Sequence, residues 1–98
     1  MKGRLSKIPN GYYSYDISEA DQSYIFKFAD VLTKQFGFST HRPPVCGLDG
    51  VYWDIEKENI ILTLGWDIWS GVFVFARCVD GNQYVCDFAD FYNNLLGN

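Results

Sequence analysis

Two stretches of this 98-residue chain carry the same apolar rhythm, one on each side of a strand-like middle. Ile25, Phe28, Ala29, Leu32 and Phe36 fall at i, i+3, i+4, i+7 and i+11, and Val85, Phe88, Ala89, Tyr92 and Leu96 repeat that spacing. Residues so spaced share one face of a helix, and that face must be buried against something. Ser18 followed by Glu19 and Asp21 predicts a capped helix start with acids at the positive end of the dipole. Gly37 then offers the left-handed stop. A first helix is therefore expected at about 19–36 and a second at about 83–96.

Between them the period changes from 3.6 to 2. Val51, Trp53 and Ile55 alternate with Tyr52, Asp54 and Glu56, the pattern of a half-buried strand. Lys57-Glu58-Asn59 is a polar turn, and Ile60, Leu62 and Leu64 align along a second strand. Val72–Val79 is the strongest strand of the chain. Val72, Val74, Ala76 and Cys78 share one side, and Phe73, Phe75, Arg77 and Val79 share the other. Asp80-Gly81-Asn82 has turn chemistry. Tyr12–Tyr15 is β-prone but short, Phe38–His41 suits a short strand, and Pro43-Pro44 must break any ladder because neither donates an N–H. Met1–Lys7 reads as part of a loose N-terminal arm, residues 1–11, that ends in the turn Pro9-Asn10-Gly11.

Close, polar or glycine-bounded connections favour antiparallel neighbours. Two one-faced helices need a single apolar sheet face to cover. The expected fold is α+β: a two-layer sandwich, a three- to four-stranded antiparallel sheet with an N-terminal and a C-terminal helix packed on one face, in a single domain over 1–98. The second sheet face is left to meet solvent or a partner.

Composition narrows the function. Eight Phe, seven Tyr and three Trp are too many for a disordered chain. Phe28, Phe36, Phe88, Tyr92, Trp53 and either Phe73 or Phe75 fall on expected core stripes. No apolar run reaches membrane-spanning length, and none follows the basic start in the manner of a secretion signal. Cys46, Cys78 and Cys86 are odd in number and lack metal-ligand or redox spacing, which fits free thiols in a reducing cytoplasm. The net charge of −4 is unevenly spread: residues 1–42 hold six bases and four acids, and residues 43–98 hold two bases and eight acids. An acidic half repels a phosphate backbone and attracts a basic protein surface.

Little here supports catalysis. The chain has one histidine, His41, and a His41/Cys46 pair lacks an orienting third group. No phosphate-binding glycine loop appears, no calcium-loop spacing, and too few ligands for zinc. Asp54 and Glu56 point the same way on a strand about 6.5–7 Å apart, a separation used by inverting hydrolases. The outstanding feature is Trp66-Asp67-Ile68-Trp69, two tryptophans beside an acid between strong strands. Either they fold back to plug the sheet, or they form an exposed aromatic anchor of the kind that dominates interface energetics.

Gly47–Asp54, Ile61–Val72 and Asp80-Gly81-Asn82, about half the chain, resemble small bacterial immunity proteins, the partners of secreted or contact-delivered toxins. The resemblance implies a non-enzymatic, stoichiometric inhibitor that binds one toxin domain, often a basic nuclease. The expected partner-binding residues are Asp49, Tyr52, Asp54, Glu56, Trp66, Asp67 and Trp69. The expectation includes no catalytic residue, metal or cofactor, no nucleic-acid or membrane partner, and a monomer or homodimer in the cytoplasm. Two alternatives stay open: a small hydrolase using Asp54 and Glu56, and a structural subunit that self-associates through the free sheet face.

Overall fold

A computed structural model describes residues 1–97 and shows an α+β fold built on one antiparallel sheet. Its elements are β1 (Arg4–Lys7), β2 (Tyr13–Ile17), α1 (Tyr24–Phe36), β3 (Val45–Cys46), β4 (Gly50–Lys57), β5 (Ile60–Asp67), β6 (Gly71–Ala76) and α2 (Val79–Leu95). The strand order is β1-β2-β6-β5-β4-β3, so the meander β4–β5–β6 lies at the centre and the N-terminal hairpin adds to it through β2. The sheet has six strands where the sequence led us to expect three or four.

The extra strands are the ones with weak sequence signals. β1 replaces the expected loose arm. It is an edge strand with Leu5 exposed and Arg4 and Lys7 pointing to water, so no apolar alternation marks it. Its hairpin closes through Pro9-Asn10-Gly11, where Ile8 donates its N–H to the Tyr12 carbonyl. Asn10 pins that turn to the sheet by donating from Nδ2 to the Ala76 carbonyl. β3 is only two residues long and begins just after Pro43-Pro44. The segment expected as a strand at 38–41 makes a single bridge, Ser39 to Glu56.

Both helix starts differ from expectation. α1 begins at Tyr24 after the N-cap Ser23, not at 19 after Ser18. Asp21 accepts hydrogen bonds from the Ser23 N–H and hydroxyl, and such local side-chain bonding offers the backbone an alternative to helix. Ala20 meanwhile is buried and accepts from the Trp66 indole. The helix ends as expected at Gly37, φ 78°. α2 begins at Val79 and absorbs the Asp80-Gly81-Asn82 segment expected to be a turn. Gly81 is buried within the helix, where a Cβ would lie 3.1 Å from both Ala76 and Leu62, so its bareness lets α2 sit close to the sheet. Correspondingly, β6 stops at Ala76 and does not run on to Val79.

Tyr15, on β2, organises the core. Its ring stacks on Phe28 of α1 at 5.9 Å and meets Phe88 and Tyr92 of α2 edge-on at 5.7 and 6.4 Å. Ile17, Leu62, Leu64, Val72 and Val74 complete the same fully buried layer. The Tyr15 hydroxyl, tucked beneath Gly3, donates to Asn93 Oδ1 at 2.6 Å, and burial raises its pKa above the ordinary phenol value. Burying each ring contributes about 1.5–3 kcal/mol.

Candidate functional site

The side of the sheet turned away from Tyr15 carries its own ordered pattern. Strand register runs a row across every strand: Arg4, Asp16, Phe73, Gly65, Tyr52 and Val45. A parallel row holds Ser6, Ser14, Phe75, Thr63 and Asp54. Where the two rows run side by side over β4 to β6 lies an aromatic platform. Phe73 stacks on Phe75 with centroids 5.9 Å apart, and Tyr52 leans on Phe73 at 6.1 Å.

Gly65 makes the platform possible. A Cβ built there would lie 2.3 Å from Phe73 Cζ, inside any allowed contact, so the ring lies down over bare backbone. Phe73 is thereby only 8% exposed although neither helix faces it. This corrects the expectation that Phe73 or Phe75 joins the core: both belong to the other face.

Beside the platform, toward β1, the surface dips into a groove of about 390 Å³. Its floor and walls include Asp16, Ser14, Ser6, Phe73 and Phe75, and Trp69 and Asp67 stand at one end. Asp16 has a side chain only 17% exposed, and Arg4, 78% exposed, is its ion-pair partner at 3.8 Å. Burial raises the Asp16 pKa and Arg4 only partly offsets that. The distance is too long for a hydrogen bond, so the carboxylate is poorly compensated.

The expected partner-binding residues do not form one patch. Trp66 faces the helices, donating its indole N–H to the Ala20 carbonyl at 3.0 Å and packing against the core. Trp69, three residues on, is 74% exposed at the tip of the β5–β6 hairpin. Asp67 shapes that tip: its Oδ1 accepts the N–H groups of Trp69 at 3.0 Å and Ser70 at 2.6 Å. Gly71 completes the three-residue turn at φ 73°, a left-handed position next to the Ile17 carbonyl that a side chain would strike. Asp49 lies in an exposed loop whose carbonyl holds the Ile68 N–H at 3.1 Å, so Asp49, Asp67 and Trp69 share one end of the sheet. Tyr52 is exposed and connects to them through Phe73.

Asp54 and Glu56 lie further along β4. Asp54 accepts the Thr63 hydroxyl at 2.7 Å and pairs with Arg77 at 3.3 Å. Glu56 is exposed. The two line a recess of about 40 Å³ with His41 and Arg42, far below the roughly 300 Å³ at which small-molecule sites begin. Among the described residues no group of three or more His, Cys, Asp or Glu side chains is placed to hold a metal ion. The three cysteines are free, Cys46 exposed and the others half-buried. No described helix is long and apolar enough to cross a membrane.

No sequence pattern marks Arg4, Ser6, Ser14 or Asp16 as functional, and strand alternation assigns Phe73 or Phe75 to the core. Reading Tyr13–Ile17 as a strand would have set Ser14 and Asp16 opposite Tyr15 and Ile17, and so placed them on the second face. Its alliance with β1 carries no such signal. The acidic half is also divided: Asp80, Asp87 and Asp90 ride exposed on α2, away from the platform. Comparison with protein-family models, curated proteins and solved structures finds no match to this chain.

Proposed function

We propose that the chain is a non-enzymatic binding protein of the immunity type, which neutralises a basic toxin domain through the uncovered sheet face. The observation that carries this reading is the aromatic platform of Tyr52, Phe73 and Phe75 with Trp69 projecting beside it. A fixed aromatic floor flanked by an exposed tryptophan and acids is the anatomy of an interface hot spot. Asp49 and Asp67 add negative potential that would steer a basic partner to this end of the sheet, and Glu56 extends it toward the far end of β4.

The hydrolase alternative is disfavoured by the engagement of Asp54 with Thr63 and Arg77 and by the size of the recess. Self-association is disfavoured by the charges of Arg4, Asp16, Asp54 and Arg77 on the same face, which a second copy would have to bury.

The test is whether the chain binds and neutralises the product of the gene neighbouring its own. Trp69→Ala should weaken the complex about 30-fold or more, the effect of losing a hot-spot tryptophan. Full neutralisation by Trp69→Ala together with Tyr52→Ala would overturn the reading, as would a neighbouring gene whose product the chain does not bind.

A further inference from the structure

The groove between β1, β2 and β6 asks for a particular occupant. We infer that it receives an arginine side chain of the partner protein, with the guanidinium meeting Asp16 and the stem lying across Phe73 and Phe75. The inference rests on the proposal that this face meets a basic protein, and it names the group that would be recognised.

Charge is the first reason. Asp16 and Asp67 line the groove against Arg4 alone, so an anionic ligand would be repelled and a cation attracted. Asp16 is the group most in need of a partner. Its carboxylate is mostly buried, its pairing to Arg4 is long, and Arg4 is mostly in solvent. A second cation placed directly on that carboxylate would supply the close donor that the free protein lacks.

Shape and donor count are the second reason. A guanidinium presents five donors in a plane, where an ammonium is a compact point charge. The groove offers acceptors around that plane: the Asp16 carboxylate and the hydroxyls of Ser6, Ser14 and Ser18. Asp16 and Phe73 are cross-strand partners, as are Ser14 and Phe75, so the acid and the serine on β2 each stand directly opposite a ring on β6. A planar cation bound to the acid therefore lies against an aromatic surface, and its methylene stem covers the rings. A second hollow, lined by Lys2 and Gly3, shares Arg4, Asp16 and Ser18 with the groove, so a cation is drawn to the Asp67 and Phe73 side of Asp16 and away from Lys2.

The test uses the whole chain and two probes, acetyl-Gly-Arg-Gly-amide and its citrulline counterpart, titrated at low salt and followed by nuclear magnetic resonance. Citrulline keeps the shape of arginine and removes the charge. The arginine probe should give saturable shifts at the amides of Ser14, Asp16 and Phe73 and at the Trp69 indole, binding at least tenfold more tightly than citrulline. Asp16→Asn, nearly isosteric, should remove that preference, and Arg4→Ala should preserve or strengthen it. Equal binding of the two probes, no binding by either, or an unchanged preference in Asp16→Asn would overturn the inference. The two proposals fail separately: loss of toxin neutralisation on Trp69→Ala without arginine preference leaves the interface and removes the arginine, and the reverse result leaves the groove and removes the immunity function.

Discussion

Adding one methyl group at Gly65 tests whether the aromatic platform is fixed or merely collapsed. In Gly65→Ala the new Cβ would stand 2.3, 2.5 and 3.1 Å from three ring atoms of Phe73. Carbon atoms settle at about 3.5–4.0 Å, so the ring must retreat by roughly an ångström or more. Retreat into the sheet is blocked by backbone, and outward movement breaks the contacts with Tyr52 and Phe75. Overpacking of this kind costs about 1–3 kcal/mol. Alanine recovers about 0.5–1 kcal/mol of that, because glycine loses more backbone freedom on folding. The net expectation is a loss of about 0–2.5 kcal/mol, centred at about 1.3, or a Tm lower by about 5–10 °C at that centre for a domain of this size.

The double mutant sharpens the test. Phe73→Ala alone should cost about 3 kcal/mol, the low end for a buried ring. In that background Gly65→Ala has nothing to strike and should be neutral or stabilising by up to about 1 kcal/mol. Urea unfolding followed by tryptophan fluorescence would therefore show a coupling of about 1–3 kcal/mol between the sites. Additive effects would mean that Phe73 rests elsewhere at no cost and that the platform is not preorganised.

Two further outcomes follow from the site. Trp66→Phe should lower stability, by about 1 kcal/mol for the hydrogen bond to Ala20 alone, and Trp69→Ala should leave the urea midpoint within about 0.5 kcal/mol of wild type; the reverse order in the same unfolding assay would refute the placement of the two indoles. Burial raises the Asp16 carboxyl pKa in the folded state, so its ionisation opposes folding. That opposition is absent below the ordinary carboxylate pKa, grows as pH rises through the interval up to the raised value, and is complete above it. Asp16→Asn should accordingly gain stability over wild type at pH 7 and lose the advantage as pH falls through the carboxylate range, and a gap that stays constant from pH 3 to 7 would refute this.

The resolution of the tryptophan pair shows how local pattern and fold divide the work. Trp66 and Trp69 are equivalent as letters, but Trp66 continues the inward alternation of Leu62 and Leu64 on β5, whereas Trp69 falls beyond the strand's end. Extending that strand to Asp67 would have separated them. Asp67 looked like an anchoring acid, yet its first task is to hold the turn on which Trp69 stands. No spacing rule distinguishes an acid aimed at a partner from one aimed at its own backbone.

By itself, the sequence determined the helical faces, the β4–β5–β6 meander and the division of β4 and β6 into two sides, because each is a period repeated over several residues and enforced by burial. The N-terminal hairpin, the early start of α2 and the groove were decided only by the tertiary structure. β1 gains most of its stability from a ladder with a strand adjacent in sequence and from the edge it thereby covers, neither of which requires an apolar alternation. Asp16 lies about fifty residues before Gly65 and Phe73, and the three acquire a common purpose only when three strands set them in one row. Side-chain periodicity can say which face a residue occupies, but cross-strand register, fixed by the whole sheet, says what stands beside it.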